Sequence, residues 1–260
     1  MSLSEDRRQK VIERLKKCIL DKFERYTPET ENMPFHYRLL GKDRMALFSF
    51  IQSLNTSFGT SIYEPVAIEL AKGRFNDAQM LKDSKNKISQ GAQEKIQEIL
   101  EELTTARREP NSINEIAEIR SVCREGKVHI IKSRKYDIFL EGKDGSLHMM
   151  DIKTAKPNIG NFEDFKRMLL TWAATELYDN HEIDVHPYIA IPYNPYEPKE
   201  YNRWTMRGLF DLSHEVLVAN ELWDFIGGSD SYNDLLDCFE KAGVELRPEI
   251  DNYFNKFKRQ

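Results

Sequence analysis

Apolar residues recur along this chain in two rhythms. Over most of its length they fall three and four positions apart with charges between them, the spacing of an amphipathic helix. Residues 5–26 carry Val11, Ile12, Leu15, Ile19, Leu20 and Phe23 on one face before Tyr26-Thr27-Pro28 ends the pattern. Residues 44–54 carry Ala46, Leu47, Phe50, Ile51 and Leu54 as one stripe, read as core. Pro65 suits the first turn of a further helix with Ser61 as its cap. Residues 87–103 present Ile88, Ala92, Ile96, Ile99, Leu100 and Leu103. Residues 112–123 follow behind Asn111 or Ser112 with Glu115 in the first turn. Behind a cap at Asn161, residues 162–178 turn Phe165, Met168, Leu169, Trp172, Ala173 and Leu177 inward. Residues 209–225, 232–239 and 250–257 also read as helical, interrupted at Gly227-Gly228.

The second rhythm is short apolar runs bounded by turn residues, which predict strands. Residues 136–140 and 147–153 form two such runs, separated by Gly142-Lys143-Asp144-Gly145, whose residue types supply turn conformations. Residues 185–191 are a third, and the helix between it and the hairpin gives room for a parallel crossover. Strands alternating with helices predict an α/β fold with a central mixed sheet of four to five strands flanked by helices, and helical additions at both ends.

A hairpin holds neighbouring strands about 4.8 Å apart, so Asp137 on one and Asp151 on the next can reach a common point. Asp151 and Lys153 are two apart and share a face, while Ile152 points the other way. Two carboxylates and a lysine therefore converge. Oxygen ligands of this kind suit Mg²⁺, which keeps several waters and borrows oxygens from a phosphate substrate. An ammonium beside a metal-activated water can orient the nucleophile or stabilise charge on phosphorus. The chemistry predicted is phosphodiester hydrolysis, with Asp137 and Asp151 as metal ligands, the Ile152 carbonyl as a further one, and Lys153 in a catalytic role. The same three residues would suit the solvated edge of an ordinary hairpin. Chemistry is favoured because the acids sit at the ends of apolar runs, the turn is short and a helix signal follows at once.

Asp, then fourteen positions on Asp-x-Lys, resembles the catalytic signature of the PD-(D/E)XK nuclease superfamily, with Tyr136 where the superfamily's name has proline. The segments MPFHYRLLGKDRMALFSFIQSLNTSFGTSIYEPVA (33–67) and DIKTAKPNIGNFEDFKRMLLTW (151–172) resemble the Tde/Mja group of type II restriction endonucleases, and the likeness extends over residues 28–228. The resemblance implies a restriction-endonuclease-like fold: a single nuclease domain over 1–260 with its catalytic core at 57–192, an N-terminal helical part at 1–56 and a C-terminal helical and recognition part at 193–260. It implies Mg²⁺-dependent cleavage of double-stranded DNA at GGNCC. A near-palindrome is most simply cut by a two-fold homodimer, each subunit reading a half-site. A cognate DNA methyltransferase would complete a restriction-modification pair. Nucleases of this superfamily often place a glutamate on the helix before the hairpin, which makes Glu64 the fourth catalytic candidate and Glu69 the runner-up. An acid in a first helical turn also complements the helix dipole without any catalytic role. A repair or junction-resolving nuclease of the same fold, or a non-catalytic DNA-binding protein, are the alternatives the sequence allows.

Charge refines this picture. The chain has 260 residues and a formal net charge of −5, which argues against coating nucleic acid by bulk positive charge. Cations nevertheless crowd the stretch that holds the acids: Lys127, Lys132, Arg134, Lys135, Lys143, Lys153, Lys156, Lys166 and Arg167. Lys156, Asn158 and Asn161, just past the catalytic strand, are candidates for DNA backbone contacts. Arg203 and Arg207, in the segment IPYNPYEPKEYNRWTMRG, are candidates for reading guanine edges. Three dispersed cysteines and six scattered histidines have no metal-ligand spacing and read as structural. There is no Walker loop, dinucleotide fingerprint, serine-triad signature or repeat. With neither an apolar membrane span nor a signal peptide's core the chain reads as intracellular, and the resemblance to restriction endonucleases implies the cytoplasm of a prokaryote.

Overall fold

The computed structural model describes residues 3–29, 32–153, 155, 162–201, 206 and 208–257. The chain begins with α1 (Glu5–Arg25), α2 (Pro34–Leu40), α3 (Lys42–Phe58), a π-helical turn (Gly59–Tyr63) and α4 (Glu64–Ala71). It continues through β1 (Asp77–Asp83), β2 (Lys87–Ser89), α5 (Gln90–Thr104), α6 (Ser112–Val122), β3 (Val128–Ile130), β4 (Lys135–Glu141) and β5 (Leu147–Ile152). It ends with α7 (Phe162–Asp179), β6 (Val185–Ile191), β7 (Val216–Val218), α8 (Asn220–Gly227), α9 (Ser231–Glu245) and α10 (Arg247–Asn255). Two compact units result, Met1–Leu70 with Gly228–Gln260, and Ala71–Gly227.

The first unit is helical. Ser4 caps α1 by accepting from Arg7 N, acids fill its first turn and Lys22 and Arg25 its last, each matched to the helix dipole. Its buried residues Val11, Ile12 and Leu15 lie on one stripe, and Asp234 of α9 receives both the Leu3 N–H and the Arg8 guanidinium. Phe23, Phe50 and Tyr253 join α1, α3 and α10, with ring centroids 4.4 to 5.5 Å apart. Two expectations change here. Ser61 caps nothing, because it lies inside the π-helical turn through which α3 runs on into α4. The stripe expected as core in residues 44–54 divides: α3 buries Met45, Ala46, Ser49 and Phe50, leaving Leu47 and Ile51 exposed.

The second unit is built on a five-stranded mixed sheet in the order β1-β4-β5-β6-β7. β1, β4 and β5 are antiparallel neighbours, and β5, β6 and β7 run parallel. The crossover from β5 through α7 to β6 is the one read from the sequence, and the α/β class with a mixed sheet flanked by helices is as expected. Four strands were not legible, among them β3, whose three residues are all exposed. β1 is a polar, half-exposed edge strand, β2 is cut from the start of the expected helix by its Ser89 cap, and β7 lies within residues read as helical. β2 and β3 pair as a separate small sheet. Among the described residues no helix is long and apolar enough to cross a membrane.

Candidate active site

The site begins with a turn. Gly142 N donates to Ser146 O at 2.8 Å, and Asp144 accepts from both the amide and the hydroxyl of Ser146 at 3.0 and 2.6 Å. A Cβ on Gly142 would meet Asp144 Oδ1 and Ser146 Oγ at 2.4 Å, so a larger residue here would displace the two side chains that close the turn. The closed turn sets the register of β4 on β5, from Glu141 opposite Leu147 to Ile138 opposite Met150. One further step puts Asp137 across from Asp151.

There the two acids are locked together. Ile152 N donates to Asp137 Oδ2 at 2.7 Å, so the first acid accepts from the strand that carries the second. Each carboxyl perturbs the ionisation of the other. Lys153, just past β5, is held by its own N–H on Ala190 O at 2.9 Å, and its ammonium lies 2.5 Å from Asp151 Oδ2 and over the Phe165 ring. Asp137, Asp151 and Lys153 therefore meet as the spacing predicted.

Electrostatically the pair is short of positive charge. Burial pushes both carboxyls above the usual carboxylate range, Asp151 to about 6, and the Asp137 charge adds to that rise while Lys153 offsets part of it. Asp151 is only 6% exposed, and its Oδ2 takes no well-aligned hydrogen bond from any described residue despite the close ammonium. Two adjoining carboxylates, Asp137 half-buried and Asp151 buried, fit a divalent cation. Among the described residues no third His, Cys, Asp or Glu joins them. A cation here would complete its shell with backbone carbonyl, water and phosphate oxygens, which is the habit of Mg²⁺.

Glu64 is the first residue of α4, in the helical unit, with its side chain buried, and Glu69 lies on the same helix, partly exposed. Lys156, Asn158, Asn161, Arg203 and Arg207 lie outside the described residues. Lys166, counted with the cations around the acids, is not available to a phosphate. It is fully buried, with its ammonium 2.5 Å from Glu115 and 2.6 Å from both oxygens of Glu215. Glu115 also accepts from Asn111 N, and Glu215 from Asp211 N. This triad ties α6, α7 and the approach to β7 together, and a sequence reading of isolated charges has no signal for it. Burial lifts the Glu215 carboxyl to about 7, with Glu115 adding to the rise against the pull of Lys166. Of the remaining cations, Lys132, Arg134 and Arg167 line a cleft of about 400 Å³ beside the start of β4, together with Ser84, Thr171 and Trp172.

His148 and His186, opposite in the β5–β6 register, stack at 4.9 Å, and burial drives His148 down to about 4.

Residues 3–243 match the model of the family described as "Type II restriction endonuclease, HinfI". The chain is 27% identical over 224 residues to the type II restriction enzyme HgiCII of Herpetosiphon aurantiacus, covering 84% of this chain and 80% of that enzyme. It is 28% identical over 253 residues to the type II restriction enzyme MjaII of Methanocaldococcus jannaschii, covering 87% of this chain and 66% of that enzyme. HgiEI of Herpetosiphon aurantiacus is similar at 25% over 224 residues, 84% of this chain and 79% of that enzyme. With a mixed-sheet α/β core, an adjoining carboxylate pair on a hairpin, and a family match over nearly the whole length, the chain belongs to the HinfI family of type II restriction endonucleases and is a site-specific deoxyribonuclease.

Proposed function

We propose that this enzyme cuts both strands of double-stranded DNA at GGNCC in an Mg²⁺-dependent reaction carried by Asp137, Asp151 and Lys153. The observation that supports this best is the contact of three groups: Asp137 held on Ile152 N, Asp151 beside it, and the Lys153 ammonium against Asp151 Oδ2. The specificity rests on the likeness of residues 33–67 and 151–172 to the Tde/Mja group, and MjaII is among the similar enzymes.

In this reading Asp137, Asp151 and the Ile152 carbonyl hold the cation, and Glu64 is the helix-borne acid. Bound Mg²⁺ would supply charge neutralisation at the phosphate and acidify a water. The chain's own residues do the rest. Lys153 donates to the attacking water or to a non-bridging phosphate oxygen, and as an ammonium it stabilises the charge that grows on phosphorus as the new P–O bond forms and the bond to the leaving oxygen breaks. The Asp137–Ile152 hydrogen bond keeps the first carboxylate from turning away. Lys156, Asn158 and Asn161 contact the DNA backbone, and Arg203 and Arg207 read bases. The chain acts as one nuclease over its whole length, with residues 57–192 as catalytic core, in the cytoplasm, as a homodimer beside a methyltransferase that protects the host's own sites.

Digestion of sequenced plasmid and phage DNA tests this. Discrete fragments whose ends map to GGNCC, formed with Mg²⁺ and absent with chelator, are the expected result. Fragments mapping to another sequence would overturn the specificity, and a smear or cuts confined to junctions would overturn the reading.

A further inference from the structure

The cations of α1 sort by partner. Arg8 pairs with Asp234, Lys10 with Asp6 and Lys16 with Glu245, each on a carboxylate of its own unit. Arg14, Lys17 and Arg25 are exposed and make no ion pair with any described residue. Positions 14, 17, 21 and 25 lie three and four apart, so they share one face of the helix.

That face opens on a cleft of about 550 Å³ within the helical unit, lined by Arg14, Lys17, Lys22 and Arg25, with Asp21 as the one carboxylate among the described residues. Ser57 of α3 lines it too, and so does the π-helical turn, a rare conformation that is found often at functional sites. Lys22 is fixed there by neutral oxygens. Its ammonium donates to Ser53 O at 2.9 Å, to Ser53 Oγ at 2.8 Å and to Ser57 Oγ at 2.7 Å, and burial lowers its pKa. Arg14 with Lys17, and Lys22 with Arg25, are like charges three apart, which weaken a helix unless an anion joins them. In a chain of net charge −5, four cations against one acid reverse the local sign.

The length of the row says which anion fits. From position 14 to position 25 the helix rises about 16 Å, at ~1.5 Å per residue. A compact anion would meet only part of it. A DNA strand carries a charge about every 3.4 Å of its axis and can meet several of these cations at once. We propose that this cleft is a phosphate-binding surface for the DNA backbone, carried by α1 in the helical unit and separate from the sheet that bears Asp137 and Asp151. The proposal rests on the family's action on DNA and not on which residues cut it. Phosphate contacts carry no base information, so this surface strengthens binding to every duplex alike and leaves the choice of site to other residues.

The test is binding of a labelled duplex without GGNCC to the full chain, followed by fluorescence anisotropy in chelator over a range of salt. Arg14→Gln with Lys17→Gln and Arg25→Gln should weaken binding about tenfold or more and lower the slope of log affinity against log salt by about 3. Gln is a good helix former, so the melting temperature should hold. Arg25→Gln alone should lower the slope by about 1. Lys10→Gln with Lys16→Gln removes paired cations from the same helix and should leave affinity within about twofold. An unchanged slope in the triple variant overturns the proposal, and so does a loss as large in the paired-cation variant, which would report net charge alone. A wild type that fails to bind at the lowest salt overturns it as well. Inorganic phosphate should compete far less well than unlabelled duplex at equal phosphate concentration, and equal competition would make this a small-anion site instead. Cleavage is read separately. A wild type that binds in this way and never cuts would support the surface and overturn the nuclease reading, while a wild type that cuts and a triple variant that binds as well would overturn the surface alone.

Discussion

Ile152 donates its backbone N–H to Asp137 Oδ2 at 2.7 Å, so the strand that bears the second acid fixes the side chain of the first. The proposed catalytic role needs carboxylates held within fractions of an ångström, and a main-chain donor that cannot rotate away holds Asp137 so.

Drawing two adjoining carboxyls out of water costs stability. Asp151 is raised from its ordinary 3.8 to about 6, so the stability it contributes is fully present below 3.8 and is lost as pH rises through about 6. Asp151→Asn should abolish cleavage and yet stabilise the fold above about pH 7 by on the order of 1–3 kcal/mol, with the gain vanishing toward about pH 4. Urea denaturation of both proteins across that range checks it. A variant less stable than the wild type at every pH would show that the acid is a structural partner.

A cation should relieve the same strain. Adding Mg²⁺ in the absence of DNA should raise the melting temperature of the wild type, because a ligand that binds only the folded state stabilises it by mass action. Asp137→Ala and Asp151→Ala should lose that rise. Equal rises in all three proteins would move the metal away from this pair.

The buried triad predicts an asymmetry between its members. Lys166→Met leaves Glu115 and Glu215 buried without their cation and should cost about 3–5 kcal/mol. Glu215→Gln keeps one carboxylate for one ammonium and should be far milder. Because Glu215 is raised from 4.5 to about 7, its contribution is present below 4.5 and lost as pH rises through 7. The Gln variant should therefore equal or exceed the wild type in stability above about pH 7. Thermal unfolding of both variants at acid and alkaline pH decides it.

The cleft beside β4 predicts a change in salt dependence. Replacing Lys132 and Arg134 together by Ala should weaken binding to every DNA sequence alike, and should lower the slope of log affinity against log salt by about 2. The preferred cleavage site should not move. An unchanged slope would take these cations out of the DNA path.

How much of this was legible in the sequence depended on how local each signal was. The hairpin was, because its turn chemistry and both apolar runs lie within a few residues, and the facing of Asp137 and Asp151 follows from that turn alone. α1, α6 and α7 were legible from caps and periodic stripes. β1 and β7 were not, because an edge strand such as Asp77–Asp83 is half solvated and carries no clean alternation, and Val216–Val218 is too short to show a period. The Lys166 triad was invisible for another reason. Its members come from residues 115, 166 and 215, and only tertiary packing turns three ordinary surface charges into a buried network. In α3 the stripe was real but misjudged in phase, since Leu47 and Ile51 look like core until the side occupied by the rest of the unit is known.

The most direct test of the central claim separates cutting from binding. Wild type, Asp151→Ala and Lys153→Ala would be compared on a DNA duplex carrying a single GGNCC, with binding measured in Ca²⁺ and cleavage in Mg²⁺. The site described here predicts that all three bind the duplex and that both variants lose cleavage by about a thousandfold or more. Cleavage retained within a few-fold in either variant would contradict it, and would place the chemistry somewhere other than the β4–β5 hairpin.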